Sequence, residues 1–273
     1  MKRIAKPGLN LIAILLALFF LFPFYWVVIS VTKDVGQLFE GTFLPGAPNH
    51  FLANLAGVFA YKNAVFLSWL GNSFLYATVG ALLGTFFASL AGFAFRRFVF
   101  VGKKVLYILL LGFSMVPAFA TVLPLFIIFK NMGLLDTRLC IIIPSLVNVF
   151  GVYLMIVYFN QVPQEIFDAA MIDGAGDTTI FFRIGLPSIL PGFTTLVLLS
   201  FVGVWNNYFL PLVLLNSSDQ FPLILGIPTI SSLQGFPVYN LVIMGAFLTC
   251  LPLLILFLVG QRFLAPQLAG AIK

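Results

Sequence analysis

Acidic side chains are scarce: among 273 residues only eight are Asp or Glu (Asp34, Glu40, Asp136, Glu165, Asp168, Asp173, Asp177 and Asp219), against fourteen Lys or Arg. Histidine occurs once, at His50, and cysteine twice, at Cys140 and Cys250. One histidine and two widely separated thiols are too few for a clustered metal site or a histidine-based catalytic constellation. The cysteines read as free thiols in or beside apolar segments. A Gly-rich loop ending in Gly-Lys-Ser or Gly-Lys-Thr is also missing, so the chain lacks the usual phosphate cradle of ATP hydrolysis. No catalytic residue, bound cofactor or metal is expected on it.

What is present is apolar. Hydrophobic residues make up 62% of the chain and charged residues 8%, with mean hydropathy +1.13. That composition leaves too little polar surface to coat a water-soluble globule of this size. About 30 Å of hydrocarbon needs roughly 20 helical residues, and six stretches are long enough: approximately Leu9 to Val31, Leu70 to Phe95, Val105 to Phe129, Leu139 to Phe159, Gly192 to Leu215 and Leu241 to Val259. These runs are continuously apolar, unlike the alternating strands of a barrel. The expected fold is an all-α membrane protein of six transmembrane helices, with residues 1–273 forming one transmembrane domain. The first run continues through Tyr25 and Trp26 without a small-x-small cleavage site, so it reads as a retained helix and not as a signal peptide.

Basic residues set the orientation. With the N-terminus inside, Lys2, Arg3, Lys6, Arg96, Arg97, Lys103, Lys104, Arg183, Arg262 and Lys273 are cytoplasmic, and only Lys33, Lys62, Lys130 and Arg138 are outside. This is the positive-inside bias of a cell-membrane protein. Arg96, Arg97, Lys103 and Lys104 read as an anchor beside anionic headgroups. All eight acidic residues fall outside the six runs, whereas ion-coupled carriers commonly keep a carboxylate within the membrane. A secondary transporter for a small solute is the alternative that this absence disfavours, and a membrane scaffold is a third.

One long polar interval, residues 160–190, falls on the cytoplasmic side. Pro163 suits the first turn of a short helix, Glu165 and Asp168 favour its positive N-terminal end, and Gly174 supplies a left-handed residue that closes it. Phe167, Ala170 and Met171 share one face by spacing, an apolar strip bordered by Asp168 and Asp173 that suits docking into a groove. Asp177 or Thr178 can cap a second short helix ending near Leu186 and Pro187. The same residues also fit a hairpin packed against the chain's own membrane helices.

Asp168, Ala169, Ala170, Asp173, Gly174, Ala175, Leu186 and Pro187 match the pattern EAAxxDGA followed by LP. With six spans, the long first outer segment, the paired basics after span two and the closing QRFLAPQLAGAIK, the chain resembles carbohydrate-type, maltose-type permeases of binding-protein-dependent ABC importers, the shorter six-helix subunit. Asp168 stands where that family usually has Glu, and the tail Ala265 to Gly270 departs from the family's Gly-Leu-Thr-Ala-Gly. The resemblance implies a type I importer fold with a two-helix cytoplasmic coupling loop, in a bacterial or archaeal membrane. It also implies a second, homologous permease, two ATP-binding subunits that hold ATP and Mg, and an extracellular solute-binding protein. Glu165, Phe167, Asp168, Ala169, Ala170, Met171, Asp173, Gly174, Leu186 and Pro187 would then contact the ATPase.

Polar residues inside the runs mark a candidate translocation path: Asn148, Trp205, Asn206, Asn207 and Tyr208. Amides donate to and accept from hydroxyls and aromatic faces stack on sugar rings, which suits a neutral polyhydroxy solute; interhelical hydrogen bonds explain the same residues equally well. Gly80 and Gly84 form a small-xxx-small pair for close helix packing, and Pro117, Pro124 and Pro144 are expected to kink spans three and four. Two outer segments, about Thr32 to Trp69 and Asn216 to Asn240, are too long for simple turns. By the resemblance they would meet the binding protein.

Overall fold

A computed structural model describes residues 7–232 and 238–270. Every regular element among the described residues is helical, in the order α1 (Pro7–Ser30), α2 (Val35–Phe39), α3 (Phe51–Ala60), α4 (Val65–Arg97), α5 (Lys103–Ser114), α6 (Ala118–Asn131), α7 (Leu139–Ser145) and α8 (Val149–Asn160). There follow α9 (Gln164–Ile172), α10 (Asp177–Ile180), a π-helical turn Phe181–Gly185, α11 (Leu186–Ser188), α12 (Leu190–Trp205), α13 (Phe209–Leu214), a 3-10 turn Ser218–Gln220, α14 (Leu223–Ser232) and α15 (Tyr239–Gly270). Lys2, Arg3, Lys6 and Lys273, used in the orientation reading, and residues 233–237 of the second outer segment lie outside the described residues.

Four helices are long and apolar enough to cross a membrane, and two bent pairs bring the number to six if each pair is one span. The expected third span is one such pair, α5 and α6 meeting at 100°. Pro117 stands at the break with extended backbone, where its ring and missing N–H end the preceding helix. The expected fifth span is shorter than its apolar run: α12 stops at Trp205, and Asn206 to Tyr208 separate it from α13. α12 pairs with the segment Asp177–Ser188 at 79°. The fourth run is likewise interrupted, by Leu146 to Asn148 between α7 and α8.

The chain divides into two compact units, residues 1–67 with 226–252 and residues 68–225 with 253–273. In the first, the apolar run of α1 is only 6% buried, and polar contacts hold the residues beyond its end. The Asn54 amide donates to Val31 O (2.9 Å) and Lys33 O (2.8 Å) and accepts from Asn240 Nδ2 at 2.7 Å. Lys33 is fully buried, its ammonium donating to Thr42 O at 2.5 Å and lying 5.3 Å from the Trp26 ring centroid. Buried charge is costly without such partners.

In the second unit α4 lies against α7 and α8 through its glycines. A Cβ on Gly80 would stand 2.5 Å from Ser145 Oγ, and one on Gly84 would stand 2.7 Å from Ser145 O. The small-xxx-small expectation is met: bare backbone lets the helices approach. Near the polar interval, Phe93, Phe159, Phe167, Ile180 and Phe181 form a core with Met155 and Leu196. The Phe93 ring meets those of Phe159, Phe167 and Phe181 edge-on at 5.6, 6.0 and 5.3 Å.

At the other end of α4, four side chains hold segment 216–223 by its backbone. Trp69 Nε1 donates to Ser218 O (2.7 Å), Asn72 Nδ2 to Asp219 O (2.6 Å) and Tyr76 OH to Gln220 O (2.9 Å), while Ser73 Oγ accepts from Leu223 N (2.7 Å). Asp136, at φ 58, accepts from the amides of Asn216 and Ser217 at 2.8 Å each and from the Ser217 hydroxyl.

Candidate functional site

The polar interval folds as two short helices around a tight turn. Pro163 precedes α9 with extended backbone, and Glu165 lies in the first turn, where a carboxylate meets the positive helix end. At the far end Gly174 has φ +81. Gly174 N–H donates to Met171 O and Ala175 N–H to Ala170 O, both at 2.9 Å, the pair of bonds that closes a helix on a left-handed glycine. Asp168, one methylene shorter than the residue it replaces in the family pattern, accepts from Gln164 Nε2 at 2.9 Å.

The apolar strip proves to be turned the other way. Phe167 is 0% exposed and Ala170 7%, both in the phenylalanine-rich core. The sequence spacing identified a shared face correctly but not its destination, because core rings on α4 and α8 claim it. The outward face carries Ile166 and Ile172, 44% and 87% exposed, together with Glu165, Ala169 and Asp173, all exposed. Met171 is exposed at the border. Asp168 is half-buried, as is Leu186 against the core, and Pro187 is exposed.

Arg96 and Arg97, read from the sequence as a headgroup anchor, also make contacts within the chain. Arg96 donates to Val162 O at 3.1 Å, just before α9. Arg97 Nε lies 3.3 Å from Asp177 Oδ1, and its guanidinium also contacts Met171 Sδ. These two side chains tie the end of α4 to both short helices. A pair of arginines ending a long apolar helix, facing an interval rich in Asp, was the sequence signal for this contact.

The candidate solute-path residues separate into three settings. A cavity of about 700 Å³ between α5, α6, α7, α8, α12 and α13 is lined by Asn148 and Asn207, with Ser114, Thr121, Ser145 and Ser200 among its polar neighbours. Asn148 caps α8, accepting from Gly151 N at 2.7 Å and donating to Ser200 Oγ at 3.0 Å, so its amide already links helices. Asn207 Oδ1 accepts from Leu210 N at 3.2 Å. Trp205 is instead buried, stacked on Phe201 at 5.5 Å and edge-on to Phe74 at 5.0 Å. Asn206 is exposed and donates to Val202 O at 3.0 Å, and Tyr208 is exposed as well. Neither they nor Trp205 line the cavity. The break after Trp205 spreads four sequence neighbours over different directions.

Among the described residues no three His, Cys, Asp or Glu side chains converge as a metal ligand set.

Residues 84–269 match the family model described as binding-protein-dependent transport system inner membrane component. The chain is 33% identical over 257 residues to the lactose transport system permease protein of Rhizobium radiobacter, covering 93% of this chain and 91% of that one. It is 30% identical over 280 residues to the arabinooligosaccharides transport system permease protein of Halalkalibacterium halodurans, covering both chains completely (100% and 100%). Its fold matches a chain of a bacterial ABC transporter involved in alginate import, with TM-score 0.83 and 24% identity over 96% of this chain and 98% of that one.

Proposed function

Because this chain belongs to the family of binding-protein-dependent transport system inner membrane components, we propose that it is the permease half through which a sugar or related polyhydroxy solute enters the cell. It is a multi-pass membrane transport subunit and not an enzyme. It works with a second, homologous permease, two ATP-binding subunits that hold ATP and Mg, and an extracellular binding protein that delivers the solute. The names of the relatives, a lactose and an arabinooligosaccharide permease, support the sugar class. The basic bias of the sequence supports an inside location for both termini.

In this reading the whole chain is one transmembrane domain, and residues 160–190 are its coupling loop. The observation that carries it is the short helix α9, closed by Gly174 and offering Ile166, Ala169, Ile172 and Asp173 outward. That face docks on an ATP-binding subunit. Phe167, Ala170, Asp177 and Leu186 act from behind, joining α9 and α10 to α4 and α8 so that displacement of the loop reaches the membrane helices as one rigid movement. Glu165, Asp168 and Met171 flank the contact. Asn148 and Asn207, on the cavity wall, are the solute-facing amides.

The test is reconstitution of the chain with its partner subunits in liposomes. ATP hydrolysis should rise when binding protein and its sugar are added together and not with either alone. Solute uptake by this chain without ATP-binding subunits would overturn the reading in favour of an ion-coupled carrier.

A further inference from the structure

A second cavity, of about 730 Å³, lies where the end of α4, the loop 98–102, the start of α5 and the end of α8 meet. Its lining combines Arg96, Lys103 and Lys104 with Asn160 and the aromatic residues Phe95, Phe100 and Tyr107, and no acidic residue lines it. The rings form a continuous wall: Phe95 meets Phe100 at 5.7 Å and Tyr107 at 6.5 Å. Lys103 Nζ donates to Phe98 O at 3.1 Å, leaving further N–H groups for a ligand. The Lys104 side chain is exposed. The amides that open the twelve-residue helix α5 add a positive dipole end with no side-chain cap, which favours an anion there.

Beside this basic, ring-walled hollow the loop offers apolar side chains outward. Val99 and Val101 are fully exposed, at 99% and 103%, and Phe98 and Phe100 at 41% and 39%. The loop joins the end of the membrane-crossing helix α4 to the start of the bent apolar pair α5 and α6, which puts it at a membrane surface whichever way the chain is inserted. Apolar tip, cationic pocket and interfacial depth together match one class of ligand: a phosphate diester with hydrocarbon chains attached.

We propose that this cavity binds the headgroup of an anionic phospholipid, with its phosphate between Lys103, Lys104 and Arg96 and its chains along Val99, Phe100 and Val105. Assignment to the cytoplasmic leaflet rests on the orientation proposed above; the binding itself does not. Arg96 also reaches Val162 O, so the bound headgroup stands one side chain away from the start of α9.

The experiment uses the full chain with the subunits that copurify with it, given an equal mixture of phosphatidylglycerol and phosphatidylcholine in mild detergent. Retained lipids are read by native mass spectrometry, without recourse to transport, so a failure of the transport reading leaves this result interpretable. The chain should retain phosphatidylglycerol preferentially. Replacing both lysines (Lys103→Gln with Lys104→Gln) should weaken that retention about twenty-five-fold, roughly fivefold for each cation, and leave phosphatidylcholine unchanged. The pair Lys103→Arg with Lys104→Arg should retain the lipid as the unmodified chain does. Equal retention of both lipids, undiminished retention in the Gln pair, or loss in the Arg pair would overturn the proposal. Displacement of the lipid by excess inorganic phosphate would overturn it too, in favour of a soluble phosphate ligand.

Discussion

Arg97 Nε and Asp177 Oδ1 stand 3.3 Å apart, joining the last residue of a membrane-crossing helix to the first residue of the short helix α10. The two ends are unequal: the Arg97 side chain is 15% exposed and that of Asp177 51%. A pair so open to water contributes about 0.2–1 kcal/mol. Asp177→Asn should therefore lower the thermal stability of the purified complex only slightly, and the loss should vanish in high salt. Arg97→Ala should cost more, because it also removes the contact with Met171. A double-mutant cycle giving a coupling well above about 1 kcal/mol would show the pair to be shielded from solvent.

Neighbouring alanines on α9 should respond in opposite ways. Ala170→Asp places a charge in the phenylalanine-rich core, which costs several kcal/mol, and little folded protein should be recovered. Ala169→Asp projects outward and should leave yield and melting temperature unchanged while weakening capture of the ATP-binding subunit. Normal capture and uptake by the Ala169 variant would move the docking face elsewhere.

Gly174→Ala isolates backbone conformation from packing. No atom lies within 4 Å of the position a Cβ would take, and φ is +81. The cost is the left-handed strain alone, about 1–2 kcal/mol. α9 should lose its closing turn, with ATP hydrolysis persisting and uptake falling several-fold in the same proteoliposomes. Gly174→Asn, a residue that tolerates this region, should recover most of the uptake.

Gly84→Ala tests the approach of α4 to α7. Its Cβ would meet a backbone carbonyl, Ser145 O, at 2.7 Å, and backbone cannot swing aside as a side chain does. Overpacking of this kind costs about 1–3 kcal/mol. Gly80→Ala meets the Ser145 hydroxyl at 2.5 Å and Ser145 Cβ at 2.9 Å, so Ser145→Ala should relieve the Gly80 variant in part and leave the Gly84 variant as impaired as before. Thermal unfolding of the four proteins measures this.

Asp136 gives a pH-dependent term. Burial works to raise its pKa, but hydrogen bonds from the Ser217 hydroxyl and the Ser217 and Asn216 amides outweigh it, and the carboxyl ends below its ordinary value of 3.8. The folded pKa is depressed, so the stabilisation is fully present above the unfolded pKa and is lost as pH falls through the folded one. Asp136→Asn should lower the melting temperature at neutral pH. The gap between the two proteins should narrow only below about pH 4, the ordinary carboxylate range. A gap unchanged between pH 7 and pH 3 would show that the charge contributes nothing.

Much of this molecule was legible in its residues, and the illegible parts share a cause. Local chemistry was read well: the left-handed Gly174, the Gly80 and Gly84 contacts and the break at Pro117 each depend on a few adjacent atoms. Hydropathy located the crossings but ran through Asn148 and through Asn206 to Tyr208, since apolar composition continues where helical hydrogen bonding stops. Partners distant in sequence were the main loss. Phe167 and Ala170 had the periodicity of a docking strip, and only Phe93 and Phe159, supplied by other helices, decide that they face inward. The contacts that Arg96 and Arg97 make within the chain were illegible because their acceptors, Val162 and Asp177, lie more than sixty residues on.

The grip of α4 on segment 216–223 is directed at main-chain atoms, and every amino acid presents the same carbonyl. Trp69, Asn72 and Tyr76 therefore hold Ser218, Asp219, Gln220 and Phe221 without regard to what those residues are. Such a fastening lets the outward chemistry of the segment be rewritten in descendants while its path through space is inherited. Side-chain variation along the segment is thereby uncoupled from the bonds that fasten it.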